Sequence, residues 1–79
     1  MTAAKYDALR DRLAAAPRPL ELSFEEVDRL VDGLPQSAYV HRAWWGNEAN
    51  GRHAQARGWL GAGRRVASVD LERRRVVFE

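Results

Sequence analysis

The side chains of this sequence best equipped for chemistry are its guanidinium groups, since twelve of the thirteen basic residues are Arg. Arg presents a planar fork of donors that matches phosphate oxygens and guanine edges, where Lys acts as a point charge. The charges are unevenly spread. Residues 1–40 hold five basic and seven acidic side chains and residues 41–79 hold eight basic and four acidic, so the halves carry −2 and +4 within a net charge of +2. In the second half Arg42, Arg52, Arg57, Arg64 and Arg65 precede the run Arg73-Arg74-Arg75. This distribution fits a polyanion held by several phosphate contacts. It also fits a solvated strand edge whose charges keep other chains from pairing with it.

A second group, Gln36, Ser37, His41 and Arg42, combines the side chains that read base edges, Gln matching adenine and Arg guanine. Catalytic readings of the same region lack essential parts. Ser37 and His41 stand four residues apart, yet no acid nearby would orient the imidazole as a triad requires. His41, Asn47 and His53 have the residue types of a His-Asn-His nuclease, but they would fall on a helix, in a loop and at a helix start, not on a ββα frame. Two His without Cys, and with no His-Glu-x-x-His spacing, make no zinc site. No glycine-rich phosphate loop follows a strand. The expectation is a protein that binds, with no cofactor and no metal.

The elements that must position these residues follow from periodicity. Tyr6, Leu9 and Leu13 recur at helical spacing and predict a first helix from Ala4 to about Ala16, stopped by Pro17 and Pro19. Leu20 to Phe24 alternates apolar and polar residues as a short strand does. Ser23-Phe24-Glu25-Glu26 is a capping box, and Phe24, Val27, Leu30 and Val31 form the apolar stripe of a second helix that Asp32-Gly33 closes, Gly taking the left-handed position. Leu34-Pro35 leads into a third helix, Gln36 to Trp45. Gly46 to Arg52 reads as an exposed loop. A fourth helix from His53 to Ala62 contains Gly58 and Gly61, each costing about 1 kcal/mol against Ala, so it must rely on packing. Arg65–Leu71 and Arg75–Phe78 are β-rich runs joined by a bend at Glu72-Arg73-Arg74.

Adjacent residues on a helix point about 100° apart, so Trp44 and Trp45 would face different directions from a continuous helix. A face of Tyr39, Val40, Ala43 and Trp44 turned inward leaves Trp45 outside with Ser37, His41 and Arg42. A face centred on Ala38, His41 and Trp45 is nearly as apolar. Both indoles in the core is the third arrangement.

At 79 residues, with 46% hydrophobic and 30% charged side chains, the chain has the make-up of one small folded domain, residues 1–79. A fold of that size buries only about 60% of its unfolded surface. There is no Cys, which excludes disulfides and thiolate metal sites and suits a reducing compartment. No apolar run has the length of a membrane span or a secretion signal, and the expected location is cytoplasmic.

The order helix, strand, helix, helix, helix, strand, strand is that of a winged-helix-like α+β domain with a small antiparallel sheet. Such a domain presents its third helix to the major groove of double-stranded DNA. Gln36, Ser37, His41 and Arg42 would then reach base edges, with Trp45 and Asn47 at the far end of the same surface. Arg52, Arg57, Arg64 and Arg65 would hold phosphates, and Arg73, Arg74 and Arg75 would form the wing. The alternative is an association module, a homodimer or a protein partner meeting Trp45, Tyr39 and a sheet edge.

Leu34-Pro35-Gln36-Ser37-Ala38, His41-Arg42-Ala43-Trp44-Trp45 with Asn47, Ala56, Trp59-Leu60, Ala62-Gly63, Val66, Val69-Asp70-Leu71, Val76 and Phe78 together resemble a small, functionally uncharacterised bacterial domain family. The resemblance runs from Lys5-Tyr6 to Phe78, and its Trp-Trp-x-Asn core is its most specific part. It implies no activity. Similar sequences often carry an aromatic residue directly after the Ala-Gly, where this chain has Arg64, and the packing at the start of the second strand departs from the pattern there.

Overall fold

The computed structural model describes residues 5–48 and 54–79. Its elements run α1 (Asp7–Ala14), β1 (Leu20–Ser23), α2 (Phe24–Leu30), α3 (Gln36–Val40), a 3₁₀ turn (Arg42–Trp45), α4 (Ala56–Leu60), β2 (Val66–Asp70) and β3 (Arg75–Phe78). The strands form an antiparallel sheet in the order β1-β3-β2. Leu22 pairs with Val76 from one side and Val69 pairs with it from the other. Side chains alternate across the pleat, so Leu22, Val69, Val76 and Phe78 are buried against the helices while Glu21, Ser68, Asp70 and Arg75 stand on the open face. The fold is α+β and winged-helix-like in its order. Among the described residues no helix is long and apolar enough to cross a membrane.

Local chemistry sets most boundaries. Leu9 and Leu13, one turn apart, are the buried side of α1. The capping box of α2 is complete: the Ser23 hydroxyl accepts the Glu26 N–H at 3.1 Å and the Glu26 carboxylate accepts the Ser23 N–H at 3.0 Å. The Ser23 N–H, first, and then the nearby Ser23 hydroxyl stabilise the Glu26 carboxylate and hold its pKa below the ordinary value. At the other end Asp32, not Gly33, takes the first left-handed position, with φ +56, and Gly33 follows at φ +108. The Gly33 N–H then reaches the Asp28 carbonyl at 2.8 Å, and the Asp28 carboxylate accepts the Leu34 N–H at 2.6 Å. One residue therefore satisfies both ends of the turn into α3.

The third helix is shorter than its sequence predicts. It breaks at His41, whose φ of −122 and ψ of 111 are extended, and the chain resumes as the 3₁₀ turn. The break resolves the conflict between neighbouring indoles by burying both, Trp44 at 8% and Trp45 at 2% exposure. Trp45 lies between Phe24, 4.9 Å away at 24°, and Trp59, 6.0 Å away at 22°. Phe78 lies 5.8 Å from Trp59, tilted by 48°, so the aromatic cluster ties α2 and α4 to the central strand. Gly58 is the reason α4 can lie so close to α1: a methyl group there would stand 3.3 Å from the Tyr6 Cβ and 3.5 Å from Leu9. The sequence penalty of that glycine is offset by packing.

Candidate functional site

In the most distinctive stretch of the chain, His41 to Asn47, the side chains of Arg42, Trp45 and Asn47 make bonds that serve the fold. Arg65 and Glu79 exchange both backbone hydrogen bonds, at 2.9 and 3.3 Å, which turns the N–H and C=O of the next residue, Val66, toward the outer edge of β2. The Asn47 side chain meets both, donating to the carbonyl at 3.0 Å and accepting from the N–H at 2.8 Å. Arg42 donates to the Val69 carbonyl one step along the same edge. Two side chains thus stand in for a neighbouring strand. Trp45, expected at a binding surface, is buried and its indole N–H donates to the Ala38 carbonyl at 2.8 Å. Asn47 is likewise withdrawn from the expected surface because its amide is used on both sides.

Arg64 requires the largest correction. Expected to hold a phosphate, it is 2% exposed, and its guanidinium donates to the carbonyls of Ala16, Pro17 and Phe78. Its long stem is buried and its head ties off backbone carbonyls at the end of the sheet. Burial, then the charges of Arg18 and Arg12, lower its pKa. Arg57 is exposed on α4, lining a separate depression with Lys5, Tyr6 and Arg10. Arg65 is exposed at the start of β2 beside Glu79. Arg52 and His53 lie outside the described residues. The second-half arginines therefore do not form one footprint.

What does converge is the hairpin tip with α3. The strands end at Asp70 and begin again at Arg75, leaving a loop of Leu71 to Arg74 in which Arg74 has φ +56. The Asp70 carboxylate accepts the Arg73 N–H at 2.9 Å, and the Arg74 carbonyl accepts the Phe24 N–H at 2.9 Å. This second bond anchors the tip to the start of α2. The Arg74 guanidinium then lies over the Tyr39 ring, 5.1 Å from its centre, a cation–π contact between the loop and α3. Arg73 and Arg75 line two adjoining grooves. One, of about 780 Å³, includes Arg42, Glu21, Asp70 and Val77; the other, of about 460 Å³, includes Tyr39, Arg74, Glu25 and Asp28. Gln36, Ser37, Val40 and His41 are exposed on the outer face of α3.

Carboxylates temper this surface. Arg75 lies 3.5 Å from Glu21 and Arg73 lies 3.9 Å from Asp70, with all four side chains at least about half exposed. Exposed pairs of this kind contribute little and exchange readily with other anions. The arrangement can hold phosphate groups along the hairpin and offer hydrogen-bonding side chains from the first turn of α3. Sequence reasoning missed the edge-closing role of Asn47 and the buried role of Arg64. The missing aromatic after Ala62-Gly63 was the one signal for the latter.

Neither a curated protein nor a solved structure matches the chain. A family profile covers residues 6–79, nearly the whole sequence and all of the elements above, and by that match the chain belongs to the family described as a domain of unknown function, DUF7662.

Proposed function

We propose that the domain binds double-stranded DNA through α3 and the β2–β3 hairpin, and that it binds without catalysing a reaction. The observation that carries the reading is the Arg74–Tyr39 contact at 5.1 Å, which joins the hairpin tip to α3, with Arg73 and Arg75 lining the same groove as Tyr39. Arg73, Arg74 and Arg75 contact phosphates, while Gln36, Ser37, His41 and the free side of Arg42 face base edges. The winged-helix-like order supports this by analogy. Association through a Trp surface has less support, because Trp45 is 2% exposed and Asn47 and Arg42 close the β2 edge. A reducing cytoplasm suits a chain without Cys.

Fluorescence anisotropy of a labelled duplex, titrated with the protein across a series of salt concentrations, tests the reading. Three phosphate contacts give a log–log salt slope of about −2.7. Substituting Arg73→Gln, Arg74→Gly and Arg75→Gln together removes most of that slope, with Gly chosen to keep the left-handed turn. No change in anisotropy at low salt with tens of micromolar protein overturns the proposal.

A further inference from the structure

A different end of the molecule holds guanidinium groups with less acidic compensation. Leu20 and Val66 both pair with Phe78 there, whereas Ser23 and Asp70 pair with Arg75 at the hairpin end. Around it gather Arg12 near the end of α1, Arg18 before β1, Arg65 before β2, and the buried Arg64. Among the described residues Arg12, Arg18 and Arg65 make no ion pair, while Arg73 and Arg75 at the hairpin each make one. Arg64 meets only carbonyl oxygens, so its charge is not neutralised locally. Arg18 donates to the Gly63 carbonyl at 2.8 Å, which fixes its head above the left-handed turn at Gly63, φ +75. Arg18 and Arg65 line an open cavity of about 600 Å³ with Pro19, Gly63 and Glu79. Glu79 is the acidic side chain of that lining beside Arg18 and Arg65; the buried Arg64 adds positive charge behind it, and Arg12 is coupled both to Arg64 and to Glu26.

We propose that this cavity is an anion site for a phosphate group, held between Arg18 and Arg65 at the end of the sheet away from the hairpin. A phosphate fits better than a carboxylate for two reasons. It carries up to two charges, which neutralise more of the excess, and its three terminal oxygens engage two donor forks at once. Arg18 is already oriented by Gly63, so little of its freedom is lost on binding. The site does not depend on the DNA reading, because it shares no residue with α3 or the hairpin tip.

The test titrates inorganic pyrophosphate into the intact chain and follows the backbone amide resonances of Gly63, Arg65 and Glu79. Saturable shifts at these amides are expected, with none from potassium chloride at matched ionic strength. Arg65→Gln, at a side chain that holds no hydrogen bond or ion pair among the described residues, and the double variant Arg18→Gln, Arg65→Gln each weaken binding about tenfold or more. The Arg73→Gln, Arg74→Gly, Arg75→Gln variant leaves it unchanged. A second arm replaces pyrophosphate with a short duplex. Shifts at the same amides that Arg65→Gln removes assign the phosphate to a polymer, and saturation by pyrophosphate alone assigns it to a free phosphate compound. Absence of saturable shifts at Gly63 and Arg65 with either probe, or shifts that survive both substitutions, overturns the proposal whatever the hairpin does.

Discussion

Arg64 and the tryptophans show how much a single polar atom decides in a core this small. Arg64→Ala deletes donors to three carbonyls and leaves them in a poorly hydrated place; the expected loss is about 3 kcal/mol in urea unfolding. An Arg64→Trp variant fills the same buried place with a ring and recovers part of that loss, which a purely electrostatic role for Arg64 would not allow. Trp45 and Trp59 offer a matched pair. Both are buried, but the Trp45 indole bonds to Ala38, whereas the Trp59 indole nitrogen has no partner among the described residues. Trp→Phe removes a similar volume at each, so Trp45→Phe is expected to cost about 1–2 kcal/mol more than Trp59→Phe, the difference being the orphaned Ala38 carbonyl. Equal losses would show that the hydrogen bond contributes nothing net.

At the level of elements, caps and edges take the place of length. Helix α2 has seven residues, too few to persist alone, and its capping box gives it a pH dependence. The Ser23 bonds lower the Glu26 pKa in the folded state, so their contribution is present above the unfolded value of about 4.3 and fades as pH falls through the lower folded value. Ser23→Ala should therefore depress the melting temperature clearly at neutral pH, by the equivalent of about 1 kcal/mol, and progressively less in acid. A constant difference across the acid range would separate the cap from Glu26. The β2 edge behaves differently, because Asn47 saturates one residue of it on both its N–H and C=O. Asn47→Leu removes two hydrogen bonds and bares a strand edge. It should cost about 2 kcal/mol and raise the apparent mass in light scattering with concentration, as an open edge pairs with another copy. An unchanged monomer of unchanged stability would contradict that role.

Among the described residues the arginines lie in separate environments, among them the hairpin tip beside α3, the Arg18–Arg65 cavity, the α1–α4 depression holding Arg57, and the interior holding Arg64, while Arg29 pairs with Glu25 on α2. One duplex cannot touch all of them. Arg57→Ala is accordingly expected to leave duplex affinity and its salt slope unchanged, in contrast to the triple hairpin variant, and a fall comparable to the triple variant would mean that the protein meets DNA with its α1–α4 side. The sequence by itself determined the α+β class, the C-terminal hairpin, the capping box and most of the core, since Leu9, Leu13, Val27, Leu22 and Val76 declare themselves through periods of 3.6 and 2 that local geometry enforces; that β3 is the central strand, between β1 and β2, came from the fold. Tertiary structure alone decided where the third helix breaks, that both neighbouring indoles go inward, and which polar groups are spent on the fold. Asn47 meets Val66 across 19 residues and Arg64 meets Ala16 across 48. No local rule encodes such contacts, because an Asn or Arg reads the same in sequence whether its donors face water, a phosphate or a distant carbonyl. Only the folded chain fixes which partner is within reach.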